Sequence, residues 1–165
     1  MKKITTTGLM TLTLLASTTP AYAATLPAAV KTQLVYLVEE EKLARDVYAV
    51  LAKSSGNQKF ANITKSEQTH MNNISAILKT YKISDPTIGA KAGVFKNATL
   101  AKLYKTLITQ GKKSEADAIK VGILIEEKDI ADLDKLAKIV TQADVKTAIA
   151  LLRSGSINHL AAFKR

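Results

Sequence analysis

Several residue types are missing or scarce in this chain of 165 residues. There is no cysteine, which excludes a disulfide framework, a thiolate-held metal, a cysteine nucleophile and an iron–cysteine centre. There is no tryptophan, and aromatic residues make up 5%, so platforms for stacking bases are few. Seven glycines and three prolines are too few for a turn-rich all-β fold. Only three of the basic residues are arginine, Arg45, Arg153 and Arg165. Without arginine forks, nucleic acid is a poor partner. Acidic residues are the minority, 14 Asp+Glu against 24 Lys+Arg, for a formal charge of +10. The lysines are spread along the chain and read as a solvated surface, with some attraction to an anionic cell envelope. Phosphate-cradling glycine loops, a G-x-S-x-G elbow and C-x-x-C are all absent, which argues against nucleotide, hydrolase and thiol chemistry. Histidine occurs twice, at His70 and His159, so imidazole chemistry has two places to occur.

Hydrophobic residues make up 47% of the chain, too many for disorder. The length suits one domain that buries ~68% of its unfolded surface. The first residues form an address. Lys2 and Lys3 precede an uncharged, Thr-rich apolar stretch from Ile4 to Ser17, and Ala21 and Ala23 make an A-x-A cleavage site. Residues 1–23 therefore read as a secretory signal peptide. A membrane anchor fits less well, because the stretch is shorter than the ~20 apolar residues a spanning helix needs. The expectation is an exported bacterial protein, periplasmic or secreted, with one domain over 24–165 and no stable membrane insertion.

That domain reads as helices. A cap and early proline at Thr25-Leu26-Pro27 open a stripe of Leu34, Leu37, Ala44, Tyr48 and Leu51, which Ser54-Ser55-Gly56-Asn57 closes. A second stripe, Ile63, Ile74, Ile77 and Tyr81, ends near Ser84-Asp85-Pro86. A long connection from Lys82 to Lys113 holds a short helix over Ala98 to Gln110, capped by Asn97 and stopped by Gly111. The third stripe is Ile119, Ile123, Ile130, Leu133, Ala137 and Val140, and the fourth is Val145, Ile149, Leu152 and Phe163. Gly155 interrupts the fourth at a cost of ~1 kcal/mol relative to alanine. The predicted fold is all-α: a ferritin-like four-helix bundle whose long crossover between helices 2 and 3 carries a short extra helix.

Polar residues fill gaps in these stripes. Glu41 sits in the first, Glu67 and His70 in the second, Glu126 with Asp129 a turn on in the third, and Ser156 and His159 in the fourth. A buried carboxylate without a partner is costly, and several in one core repel one another. A cation removes that conflict. Glu67 and His70 lie three apart on one helical face, and Glu-x-x-His with single glutamates on other helices makes a di-iron carboxylate site. The plainer readings are hydrogen-bonded core histidines, a solvated acidic run at Glu39-Glu40-Glu41, and Glu126 and Glu127 paired with lysines.

The motifs sharpen this. Glu41-Lys42-Leu43-Ala44-Arg45-Asp46-Val47-Tyr48 and Ser66-Glu67-Gln68-Thr69-His70-Met71 resemble the first- and second-helix motifs of rubrerythrin-type ferritin-like proteins. Together with Val121 to Leu133 and Gly155 to Leu160, they resemble more closely an exported ferritin-like family, domain of unknown function 2202. The likeness runs from about Val30 to Phe163. It implies Glu41, Glu67, His70, Glu126 and His159 as metal ligands. Ferritins and rubrerythrins have a glutamate where this chain has Ser156. Glu127 or Asp129 could supply the missing carboxylate, and Glu40 less readily, since it points off the stripe. Iron, as one ion or two, is the expected metal, with manganese, zinc or copper as alternatives. The expected chemistry is reaction with oxygen or peroxide, with Tyr48 as a weak candidate donor of a proton or electron. A paired core hydroxyl is the competing reading of Tyr48. Turnover would need an external electron donor. The alternatives are a non-catalytic metal-sequestering bundle or a structural bundle with a relic site. A monomer or dimer is expected.

Overall fold

Local chemistry sets the helix ends. In the computed structural model, which describes residues 25–165, five helices form: α1 (Ala28–Ser55), α2 (Gln58–Thr80), α3 (Ala98–Gly111), α4 (Glu115–Ile139) and α5 (Ala143–Lys164). There is no strand among the described residues. The leader read over 1–23 lies outside them. The cap of α1 is Pro27, with no side-chain hydrogen bond, rather than Thr25. Its far end is Gly56, whose left-handed φ of 70° lets its N–H donate to Ala52 O. Asn57, Asn97 and Ser114 cap α2, α3 and α4 by accepting from backbone N–H groups of the first turn. α2 stops at Thr80, earlier than the Ser84-Asp85-Pro86 signal. Lys82 turns left-handed at φ 54°, and the Ile83 N–H donates to Leu78 O. This returns Ile83 to the core.

Two apolar clusters show how the helices run. One joins the start of α1 (Val30, Leu34, Leu37), the end of α2 (Ile74, Leu78), the end of α4 (Leu133, Leu136) and the start of α5 (Val145, Ile149, Leu152). The other joins the end of α1 (Val47, Tyr48, Leu51), the start of α2 (Phe60, Ile63), α3 (Leu100, Leu107), the start of α4 (Val121, Ile125) and Phe163 of α5. So α1 runs parallel to α5 and antiparallel to α2 and α4. Around the bundle the neighbours are α1–α2, α2–α5, α5–α4 and α4–α1, and α3 packs on α1 and α4. Because α2 and α4 are parallel, the chain leaving α2 must travel back along the bundle before α4 begins. A helix of this length spans about 35 Å, which is why the connection is long. Among the described residues no helix is long and apolar enough to cross a membrane.

One expectation, and one of the plainer readings, need correction. The buried face of α4 is Ala118, Val121, Gly122, Ile125, Leu133 and Leu136. Ile119, Ile123 and Ile130 are only half-buried on its flank, and Ala137 is exposed. Isoleucine is equally apolar in either phase; what turns the helix is Phe163, whose ring packs where a side chain on Gly122 would sit. The Glu39-Glu40-Glu41 run is not solvated, since these residues are 3%, 3% and 1% exposed. The reason is that α1 is covered on several sides. Glu39 accepts from the N–H groups of Lys96 and Asn97. Lys42 donates to Asp46 at 2.6 Å and to Lys91 O at 2.9 Å, and its ammonium lies 4.4 Å from the centroid of the Phe95 ring. Asp46 accepts from Gly93 N–H at 2.9 Å and from Arg45. This polar face of α1 holds the crossover down.

Candidate metal centre

Between the two apolar clusters lies a polar belt with at least one side chain from each of the four long helices. Glu41 comes from α1, Glu67 and His70 from α2, Glu126 and Asp129 from α4, and Ser156 and His159 from α5, and all are buried. Glu67 is central. Its Oε2 is 3.1 Å from His70 Nδ1, and its Oε1 is 2.8 Å from His159 Nδ1. Glu41 Oε2 lies 3.4 Å from His70 Nδ1, and Glu126 Oε2 lies 3.6 Å from His159 Nδ1. The imidazoles stack with centroids 5.4 Å apart. Glu67, His70 and His159 each offer a ligand atom within 4.8 Å of the others.

The electrostatics are strained. Burial, with Asp129 and Glu67 nearby, pushes the Glu41 carboxyl well up. Burial, then Glu40, does the same to Asp129, despite its contact with Ser156. Glu126 is raised by burial, which outweighs the His159 contact and the Tyr48 hydroxyl. Burial also opposes ionisation of Glu67, but His159 and His70 reverse this and hold it at about 2. His159 is the converse: burial disfavours its charged form, yet Glu126 and Glu67 push it up to about 10. Even so, five buried polar atoms have no hydrogen-bond partner: Glu40 Oε2, Glu41 Oε1, Glu67 Oε1, Asp129 Oδ1 and His159 Nδ1. Glu67 Oε1 and His159 Nδ1 are close together but off the axis a hydrogen bond needs. Native interiors contain few such atoms, and each calls for an explanation.

Neighbouring residues fix this geometry. The Tyr48 hydroxyl donates to Glu126 Oε1 at 2.6 Å, and its ring packs with Phe60 and Phe163 at centroid distances of 5.8 and 5.4 Å. His159 Nε2 is 2.8 Å from Ser66 Oγ, the kind of outer contact that sets a ligand histidine's tautomer. Ser156 Oγ is 2.6 Å from Asp129 Oδ2 and 3.0 Å from the Leu152 carbonyl. Gly155 lies against His70: a Cβ there would come within 2.6 Å of His70 Cε1, and nearer still to Nε2. Nothing in the sequence pattern marked Ser66 or Gly155 for these roles.

The three further candidates separate. Asp129 faces the belt. Glu127 is exposed and accepts from Lys164 at 2.8 Å, so it is outside the site, and Glu126 is the buried member of that pair. Glu40 is buried but paired with Lys128, which also bonds Asp132 and Tyr36. Burial raises the Glu40 carboxyl to about 7 despite Lys128.

Fold and site together define a helical bundle with a buried carboxylate–imidazole cluster at mid-length. The chain belongs to the family described as an uncharacterized protein domain, DUF2202, matched over residues 30–165. Uncharacterized protein MJ0754 of Methanocaldococcus jannaschii is 47% identical over 135 residues, which span 82% of this chain and 73% of that protein. A crystal structure of hypothetical protein MJ0754 from Methanococcus jannaschii DSM 2661 superposes with a TM-score of 0.82 and 45% identity, over 84% of this chain and 79% of that one.

Proposed function

We propose that this is a ferritin-like metal protein whose buried belt holds iron, as a ferroxidase or peroxidase-like centre exported to the periplasm or beyond. The observation that carries the reading is that four of the five buried polar atoms without partners, Glu41 Oε1, Glu67 Oε1, Asp129 Oδ1 and His159 Nδ1, belong to the belt. A cation would satisfy lone pairs that hydrogen bonds leave open, and a mixed carboxylate and imidazole set suits iron or manganese, with zinc also accommodated. Glu41, Glu67, His70, Glu126 and His159 would hold the metal, with Glu67 lying between the two imidazoles, and Asp129 would supply the carboxylate that Ser156 cannot. Four carboxylates and two neutral imidazoles balance two divalent cations in charge, which favours two ions over one. Bound iron would supply the electron exchange with oxygen or peroxide. Tyr48 holds Glu126 in place through its hydroxyl and, with Phe60 and Phe163, keeps water from that end of the site. With no cysteine, electrons for repeated turnover must come from an external donor.

Anaerobic loading of metal-free protein with Fe(II) tests this. A metal-to-chain ratio near two, followed by rapid oxidation that consumes oxygen or peroxide, is expected. Tight binding without oxidation would leave a sequestering protein in its place. If His70→Ala and His159→Ala variants bind iron as well as the parent, the metal reading fails altogether.

A further inference from the structure

From Pro86 to Lys113 the chain carries six lysines and no aspartate, glutamate or arginine. All six, Lys91, Lys96, Lys102, Lys105, Lys112 and Lys113, are exposed. Among the described residues the ion pairs are made by other basic groups, so none of these ammonium groups lies against a carboxylate. The acidic groups next to this segment are already engaged. Glu39 and Asp46 are buried beneath it on its backbone N–H groups. Asp85 accepts from Ser75 Oγ and from Thr87 N–H and Oγ1. Asp117, beyond the end of α3, is paired with Ser114 and Lys120.

The same segment presents its apolar residues outward. Two tight turns follow one another: Ala90 N–H donates to Thr87 O, and Val94 N–H donates to Lys91 O. Gly89 and Gly93, at φ 73° and 74°, occupy the positions where a type II turn needs positive φ. Ile88 therefore stands at a turn tip, 82% exposed, and Val94 closes the second turn, 54% exposed. They are held out rather than loosely placed, because Asp85, Lys42, Asp46 and Glu39 pin the backbone on both sides.

We propose that the crossover and α3 form a docking surface for an anionic lipid bilayer, with the lysines over the headgroups and Ile88 and Val94 entering the interface. Scattered lysines are point charges without the planar fork that selects an individual phosphate, which suits a diffuse anionic surface. A nucleic acid would instead call for stacking platforms, and the two aromatics here, Phe95 and Tyr104, pack on each other with centroids 5.6 Å apart. Exposed β-branched side chains in a segment whose only charged residues are lysines match the two components of peripheral membrane binding, electrostatic attraction and shallow apolar insertion. Attachment of this kind is reversible and needs no spanning helix. It does not depend on whether the belt holds metal.

Vesicle sedimentation with the folded domain tests it. The protein should pellet with phosphatidylcholine–phosphatidylglycerol vesicles in low salt, stay in solution with phosphatidylcholine alone, and be released by high salt. Lys102→Gln/Lys105→Gln should bind roughly 30-fold more weakly, the loss expected for two lysines at an anionic leaflet. Ile88→Ser/Val94→Ser keeps every charge and should also bind several-fold more weakly, with unchanged circular dichroism. Absence of binding to the anionic vesicles overturns the proposal. So does equal binding by the Ile88→Ser/Val94→Ser variant, which would mean a generic polycation. So does binding to an acidic protein or to DNA in preference to the vesicles.

Discussion

Replacing Gly155 by alanine puts the site geometry to a sharp test, because two physical effects oppose each other there. At an ordinary position in a helix, glycine to alanine stabilises by about 1 kcal/mol, since alanine has less backbone freedom to lose. Here the new Cβ would lie 2.6 Å from His70 Cε1 and closer to Nε2, well inside van der Waals contact. The ring has little room to withdraw. His70 is 6% exposed, and its Nδ1 side is held by Glu67 at 3.1 Å and Glu41 at 3.4 Å. Overpacking of this kind costs about 1–3 kcal/mol, enough to cancel or reverse the helix gain. Gly155→Ala should therefore be no more stable than the parent, or up to about 2 kcal/mol less stable, by urea unfolding of the metal-free protein. Displacing His70, a ligand in the function proposed above, should also weaken metal binding by about 10–100-fold in calorimetric titration, the loss typical when a ligand's support is disturbed. The double-mutant cycle isolates the cause. With the ring removed by His70→Ala, adding Gly155→Ala should stabilise by about 1 kcal/mol, so the sign reverses between the two backgrounds. If Gly155→Ala alone stabilises the protein and leaves metal affinity unchanged, the reasoning about His70 is wrong.

Asp129→Asn removes one charge from a crowded buried group while keeping its shape. The metal-free protein should gain about 1 kcal/mol near pH 8, while the metal-to-chain ratio on elemental analysis falls. A loss of stability with full loading would contradict the role given to Asp129. Asp46→Ala leaves Lys42 buried without its carboxylate and orphans the Gly93 N–H, and should cost about 3–5 kcal/mol in denaturant unfolding. The pH dependence of the metal-free protein follows from the shifted groups. His159, raised from 6.5 to about 10, contributes stability that is complete below about 6.5 and fades as pH rises towards 10. Glu67, lowered from 4.5 to about 2, contributes stability above about 4.5 that is lost as pH falls towards 2. Glu40, raised from 4.5 to about 7, costs stability as pH climbs through that interval, and Glu41, Glu126 and Asp129, also raised, act in the same direction. Thermal melts should therefore be highest in mildly acid solution and fall towards alkaline pH. Added Mn(II) should reverse that slope, because ligands must shed protons to bind; melting temperatures that rise steadily to pH 10 without metal would refute the assignment.

The helices were legible because their signals are local. Capping residues and the three-four alternation of apolar positions depend on near neighbours only, so Asn97 marked a start that the fold uses. The failures share one physical origin, which is what packs against an element from elsewhere. Ile119 and Ile123 satisfied the helical period but gave way to Gly122, whose bare surface admits the distant Phe163 ring. The Glu39-Glu40-Glu41 run matched a solvated face, and only the returning crossover, whose backbone N–H groups need acceptors, made Glu39 a buried anchor. Glu127 and Asp129 were both open as the extra carboxylate, although only Asp129 followed the stripe, and the rotation of α4 turned Glu127 to solvent and Asp129 to the belt.

The sequence by itself determined that two histidines and displaced carboxylates would lie on helical stripes, because a side chain's face follows from its spacing along a helix. It also determined the absence of any thiol relay. Only the tertiary structure decided that these side chains meet at one level between two apolar clusters, that four of their atoms lack partners, and that Ser66, Ser156 and Gly155 shape the centre. Those facts depend on the relative depth and rotation of four helices, and no single helix carries that information.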